Sequence, residues 1–176
     1  QQKADQDGLQ IRLYPGNELY YDSTLPERLT AGQALTLAGS SYALIEFDPA
    51  AAYSYIRYGL SAVSYEGFRP ILAHAERYQA LLSHTDSVRE LVRSGVYIQV
   101  NASSVIPALF RPDTAFVNKL LREGLVHFVA TDAHRDTRRA PYLEKCAAYL
   151  YRKYEDDYAD QLLFGNAEMV IRNEKI

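Results

Sequence analysis

Short apolar runs alternate along this chain with longer stretches in which apolar residues return every three or four positions. Ile11-Arg12-Leu13-Tyr14 leads into Pro15-Gly16-Asn17 and predicts a strand followed by a turn. Ser41 to Phe47 predicts a strand stopped by Asp48-Pro49. Ala50 to Tyr65 predicts a helix with Ile56, Leu60, Val63 and Ser64 on one stripe, ended by Gly67. Strands are predicted at Pro70 to His74, Val96 to Val100 and Leu125 to Ala130. Between them, Val88, Leu91 and Val92 mark a helix stopped by Gly95, and Phe116, Leu120 and Leu121 mark one stopped by Gly124. From Ala140 onward the pattern is helical, with a break predicted at Gly165-Asn166. Gln1 to Asp7 reads as the end of a helix entering from upstream, with Gly8 where a helix-terminating glycine belongs.

Strands alternating with helices predict βα units and a parallel sheet. Several of the strands are apolar throughout, as expected when both faces are covered. Neither repeats nor a linker divides the chain, so residues 1–176 are expected to form a single α/β domain. Composition narrows the class further. With 48% apolar and 23% charged residues, disorder and coiled coil are excluded. No apolar run approaches the roughly 18–20 residues of a membrane span, and the polar start does not resemble a secretion signal. A lone cysteine, Cys146, favours a reducing, cytoplasmic setting. Nineteen basic against 22 acidic residues leave no basic excess for nucleic acid. The 15 tyrosines are read chiefly as amphipathic packing rings.

Chemistry collects where the predicted strands end. Glu18 follows the first, Glu46 ends the second, His74 the third, Asn101 the fourth, and Asp132-Ala133-His134 the fifth. In a parallel α/β barrel those ends share one face, where active sites are built. Oxygen and imidazole donors without thiolate suit Mn²⁺, Fe²⁺ or Zn²⁺ in a hydrolytic site. Glutamates usually end as solvated loop residues, but Glu46 is enclosed by Leu44, Ile45 and Phe47, where a lone charge is poorly hydrated. His74, which could equally be a core histidine, and Glu18, which could be a turn residue, are read as ligands by the same placement. His84 and His127 are the contrast: one belongs to a helix start capped by Thr85 or Asp86, the other to a strand interior. Arg77, Arg138 and Arg139 lie close in sequence to the ligand candidates and suit oxyanion contacts, because guanidinium matches phosphate in fork geometry.

Five motifs, in order, carry a resemblance: Gly16-Asn17-Glu18-Leu19-Tyr20-Tyr21, Leu44-Ile45-Glu46-Phe47, Ile71 to Tyr78, Gln99 to Ser104 and Ala130 to Arg135. Together they resemble the bacterial protein-tyrosine phosphatases of the polymerase-and-histidinol-phosphatase (PHP) type, manganese-dependent enzymes of capsule and exopolysaccharide synthesis. The resemblance runs from about Gly8 to the C-terminus. It implies an incomplete, distorted (β/α) barrel of mostly parallel strands with a multinuclear site for Mn²⁺, or for Fe²⁺, Zn²⁺ or Mg²⁺. Glu18, Glu46, His74, Asp132 and His134 would be ligands, with Glu18 bridging two ions. Arg77 and Arg139 would contact the phosphoryl oxygens, and Asp132 could also carry protons. The implied reaction is phosphomonoester hydrolysis, in which coordination lowers the pKa of a bound water from 15.7 to about 7 and the hydroxide attacks phosphorus in line. The implied substrate is the phosphorylated tail of a tyrosine autokinase.

The opening strand of such proteins carries a His-x-His pair, and nothing before Gly16 contains a histidine. The expectation is therefore the last two-thirds or more of a barrel, carrying a partial metal complement and self-associating through uncovered sheet edges. Two alternatives stand beside this reading. One is another PHP-type phosphoesterase, such as a histidinol phosphatase; the other is a truncated, non-catalytic barrel.

Overall fold

The computed structural model describes residues 1–134 and 143–176. Its framework is a five-stranded sheet in the order β1-β2-β3-β4-β5, every pairing parallel. The strands are β1 (Glu18–Tyr20), β2 (Tyr42–Glu46), β3 (Arg69–Leu72), β4 (Tyr97–Asn101) and β5 (Phe128–Ala130). The helices are α1 (Gln2–Gln6), α2 (Leu25–Thr30), α3 (Tyr53–Tyr65), α4 (Thr85–Arg93), α5 (Ala102–Val105), α6 (Pro112–Arg122), α7 (Glu144–Lys153), α8 (Asp156–Asp160) and α9 (Asn166–Ile171). Each neighbour in the sheet is also the next strand in sequence, as right-handed βα winding produces. Among the described residues the sheet does not close.

One turn is used three times to pass from helix to strand. After α3, α4 and α6 the chain places Gly67, Gly95 and Gly124 at φ 87°, 92° and 64°. The next residues, Phe68, Val96 and Leu125, donate their N–H groups back to Val63, Leu91 and Leu120 at 3.4, 3.1 and 3.0 Å. This pattern satisfies helix-end carbonyls and turns an apolar residue back onto the helix.

The two faces of the sheet divide the core. Leu19, Ala43, Ile45, Leu72, Ile98, Val100 and Val129 point outward into the main hydrophobic cluster with Ile56, Leu60, Leu91, Phe116 and Leu120 of the helices. Tyr42, Ile71 and Tyr97 point inward and pack with Val170 of α9. The C-terminal tail seals this lower end: the Tyr42 hydroxyl donates to the Glu174 carbonyl at 2.7 Å, and Arg69 donates to the carbonyls of Asn173 and Glu174 at 3.1 and 3.0 Å. Along the inner face, polarity rises toward the strand ends. It reads Tyr42, Leu44, Glu46 on β2 and Tyr97, Gln99, Asn101 on β4.

Several expected boundaries shift. Ile11 to Tyr14 forms no strand; it runs exposed beside α1, where the Gln1 side chain donates to the Ile11 carbonyl and accepts from the Leu13 N–H. The first strand is β1, so Glu18 begins a strand rather than following one. α3 starts at Tyr53 because the Asp48 carboxylate accepts the Ala50 N–H at 2.7 Å and prolongs the turn. β5 keeps only the last half of its predicted run. Gly165 does not break the C-terminal helices; at φ −58° and ψ −48° it lies in a π-helical turn, Gln161–Gly165, that joins α8 to α9. His84 itself occupies the N-cap position of α4, ahead of Thr85. No helix among the described residues is long and apolar enough to cross a membrane.

Candidate metal and phosphate site

Glu18, Glu46 and His74 converge at the polar end of the inner face. Each offers a ligand atom within 4.8 Å of the others. His74 Nε2 lies 2.9 Å from a Glu18 oxygen and 3.2 Å from a Glu46 oxygen. The His74 side chain is 2% exposed, and neither of its ring nitrogens makes a formed hydrogen bond. Buried polar atoms are nearly always paired. An imidazole nitrogen set against two carboxylate oxygens, in hydrogen-bond geometry with neither, fits a cation between them, with hard oxygen and borderline nitrogen donors suited to a divalent ion. Contact with His74 holds the Glu18 carboxyl below its ordinary value, against the opposing effect of burial.

Backbone geometry aims the histidine. His74 lies two residues beyond β3 at φ 33° and ψ 57°, the left-handed region. That conformation costs a non-glycine residue of order 1–3 kcal/mol and persists only where surroundings enforce it. Here the His74 N–H donates to Gln99 Oε1 at 2.6 Å. The residues after His74 form one 3-10 turn, Ala75–Arg77, and reach three different strands or strand ends. Glu76 Oε1 accepts the Asn101 N–H at 3.0 Å at the end of β4. Arg77 pairs with the Asp132 carboxylate beyond β5. The Tyr78 hydroxyl accepts the Phe47 N–H at 3.1 Å, beside Glu46 of β2. Burial pushes the Glu76 carboxyl up from its ordinary value.

Asp132 sits on the same side, two residues beyond β5 and also left-handed, at φ 52°. It accepts from Arg77 and from Asn101 Nδ2, the latter at 3.3 Å. Glu18, Gln99, Asp132 and His134 line one cleft of about 410 Å³ floored by Leu44, Ile71 and Phe128. Among the described residues the close ligand set is Glu18, Glu46 and His74; Asp132 and His134 stand outside it. The His134 ring is half exposed, with Nδ1 2.8 Å from the Asp132 carbonyl oxygen. Arg138 and Arg139 lie outside the described residues. His127 is partly buried and lies just before β5 rather than within a strand, its Nδ1 accepting the Ile98 N–H at 3.1 Å. Sequence reasoning gives Gln99 and Glu76 no role in the site. Their one visible signal is a polar side chain inside an apolar run, in Tyr-Ile-Gln-Val, and an acid in the turn right after a strand.

The family model described as "Capsular polysaccharide synthesis, CpsB/CapC" matches residues 1–172. Tyrosine-protein phosphatase CpsB of Streptococcus agalactiae serotype V is 35% identical over 171 residues, covering 94% of this chain and 70% of that protein. The CpsB tyrosine-protein phosphatase of Streptococcus pneumoniae is 36% identical over 166 residues, covering 92% and 68%. Tyrosine-protein phosphatase YwqE of Bacillus subtilis is 27% identical over 170 residues, covering 97% and 66%. A solved structure from a study of YwqE from Bacillus subtilis and CpsB from Streptococcus pneumoniae, described as unique metal-dependent tyrosine phosphatases, superposes with a TM-score of 0.90 at 25% identity. It covers 99% of this chain and 70% of that one.

Proposed function

The chain belongs to the CpsB/CapC family of capsular polysaccharide synthesis, and from that premise we propose that it is a metal-dependent protein-tyrosine phosphatase regulating capsular or exopolysaccharide synthesis. The observation that carries the reading is the convergence of Glu18, Glu46 and the buried His74 at the polar end of a parallel sheet. These three residues would hold a divalent ion, Mn²⁺ by preference, with Asp132 and His134 as further ligands in a multinuclear set. A divalent ion bound there supplies Lewis acidity for phosphoryl transfer.

The chain's own side chains do the rest. Arg77, and Arg139 beyond the described residues, orient the phosphoryl oxygens and offset the charge that builds on them. Arg77 pairs with Asp132, so a phosphate bound by Arg77 would share or replace one anionic partner. Asp132, which accepts from Asn101 and Arg77, would also carry a proton in this reading. The apolar floor of Leu44, Ile71 and Phe128 excludes water from one side of the cleft. The substrate of this reading is the phosphorylated tyrosine tail of an autokinase in the cytoplasm. Residues 1–176 are read as one domain, the larger part of a PHP-type barrel, in line with the 70% of the relatives' length that the chain spans. The outer edges of β1 and β5, unpaired among the described residues, suit association with a second copy.

The test is phosphate release with added Mn²⁺ from a phosphotyrosine peptide and, in parallel, from histidinol phosphate. Preferential release from the peptide supports the reading. Preferential release from histidinol phosphate favours the small-molecule phosphoesterase, and metal binding without turnover favours the non-catalytic barrel.

A further inference from the structure

The β3–β4 ladder ends at Leu72 opposite Ile98. Beyond it the two chains diverge, yet both His74 and Asn101 are buried, where an unpaired N–H is costly. Side chains take over the ladder. Gln99 of β4 accepts the His74 N–H at 2.6 Å, and Glu76 of the following turn accepts the Asn101 N–H at 3.0 Å. Each segment thus receives a side chain from the other, and the two contacts are reciprocal. The Gln99 amide is itself oriented, because its Nε2 donates to Asn101 Oδ1 at 3.2 Å. Gln99 and Glu76 are both buried, so solvent offers the two N–H groups no replacement.

We propose that Gln99 and Glu76 are positioning residues, a reciprocal clamp that locks the left-handed backbone of His74 and presents its imidazole to Glu18 and Glu46. Without the Gln99 acceptor, the left-handed His74 loses the contact that offsets its backbone cost. The backbone would relax toward negative φ and swing the ring away from the two carboxylates. Glu76 ties the same turn from its other end. Gln99 lines the cleft, but neither side chain belongs to the close ligand set; both act through His74. The inference deepens the metal-site reading above and rests on it.

The test is Mn²⁺ affinity by calorimetry, with amide hydrogen exchange of the metal-free chain alongside. Gln99→Met and Glu76→Met keep the side-chain length and remove the acceptor. Each should weaken Mn²⁺ binding by about 10–100-fold, the range found when partners of metal ligands are lost. Glu76→Gln, which retains an acceptor oxygen, should bind close to the parent's affinity. In the metal-free parent, the His74 and Asn101 amides should be protected to a similar degree, a readout that holds even where a Met variant fails to fold. Parent-like affinity in a folded Gln99→Met or Glu76→Met overturns the clamp. So does a loss in Glu76→Gln as large as in Glu76→Met, or surface-level exchange at both amides in the parent. If the variants weaken Mn²⁺ as expected but no chain hydrolyses phosphotyrosine, the clamp stands and the phosphatase reading fails. If the chain hydrolyses phosphotyrosine but its Mn²⁺ affinity ignores the variants, the phosphatase reading stands and the clamp fails.

Discussion

His74 and Asp132 occupy matching places, each two residues past the end of its strand and each in the left-handed backbone region, at φ 33° and 52°. Arg77 connects them: it belongs to the turn that His74 begins and pairs with the Asp132 carboxylate. Two strained corners, on either side of β4, are therefore joined through one ion pair. Strain of this kind collects at working sites, because packing that enforces it also fixes the side chain's direction.

His74→Asn tests the corner. Asparagine tolerates left-handed torsion better than most residues, so the variant should stay folded by circular dichroism. It is too short to face both carboxylates, and its Mn²⁺ affinity should fall by about 100-fold or more, at least the upper range for loss of a ligand's partner. Unchanged affinity by calorimetry would remove His74 from the site.

Arg77→Ala should lower turnover on a phosphotyrosine peptide by about 10²-fold, as loss of one transition-state donor does elsewhere. Mn²⁺ content, measured by elemental analysis, should stay near the parent's. Arg77→Lys should recover only part of the rate, since an ammonium lacks the planar fork. Arg139→Ala is expected to act in the same direction. A loss of metal in step with the loss of rate would mean that Arg77 holds the site together rather than the substrate.

His127 links stability to pH. Burial pushes its pKa down to about 4, from an ordinary 6.5, and its Nδ1 must stay unprotonated to accept the Ile98 N–H. Below pH 6.5 the unfolded chain gains a proton that the folded chain refuses. Stability from this residue is therefore full above about 6.5, falls between there and about 4, and is flat below. A shift of this size corresponds to about 3 kcal/mol. Urea unfolding at pH 7 and pH 4.5 samples most of it, and His127→Asn should flatten the difference by about 2 kcal/mol. An identical slope in the variant would assign the acid sensitivity to other groups.

Gly59 sets helix propensity against packing. It lies inside α3, where alanine would ordinarily gain about 1 kcal/mol. A Cβ there would stand 2.7 Å from Tyr21 Cζ and 2.8 Å from Phe47 Cε1. These rings also pack on each other at 4.9 Å between centroids, so neither has room to yield. Overpacking of this kind costs about 1–3 kcal/mol. Gly59→Ala should lower the melting temperature; a rise would show that the rings move aside freely.

The sequence makes some of this legible and hides the rest for physical reasons. Apolar runs at β2, β3 and β4 and the glycines at 67, 95 and 124 are strong local signals, because a buried parallel strand and a left-handed helix end each demand one residue type. Glu46, His74 and Asp132 stand out because they interrupt or end such runs. β1 is harder: three residues long with one buried apolar side chain, Leu19, it has too little period-2 pattern to be told from a turn. The exposed Ile11 and Leu13 imitate a strand better than β1 does. Gln99 and Glu76 escape because their role is to serve backbone N–H groups of other segments, and no local pattern records that need.

The turn from His74 to Tyr78 gives the rim of the sheet an unusual economy of fastening. Glu76, Arg77 and Tyr78 each hold a different strand or strand end, so the turn cannot swing open as a loop while its surroundings stay closed. Its opening would release the upper ends of β2, β4 and the β5 loop in one event, a single cooperative unit of native-state fluctuation. An ion on His74 at 100 times its Kd would oppose that event by about 2.7 kcal/mol. Occupancy of the site would then be felt as slower proteolysis and exchange across three segments, and metal binding would report on the integrity of one whole end of the molecule.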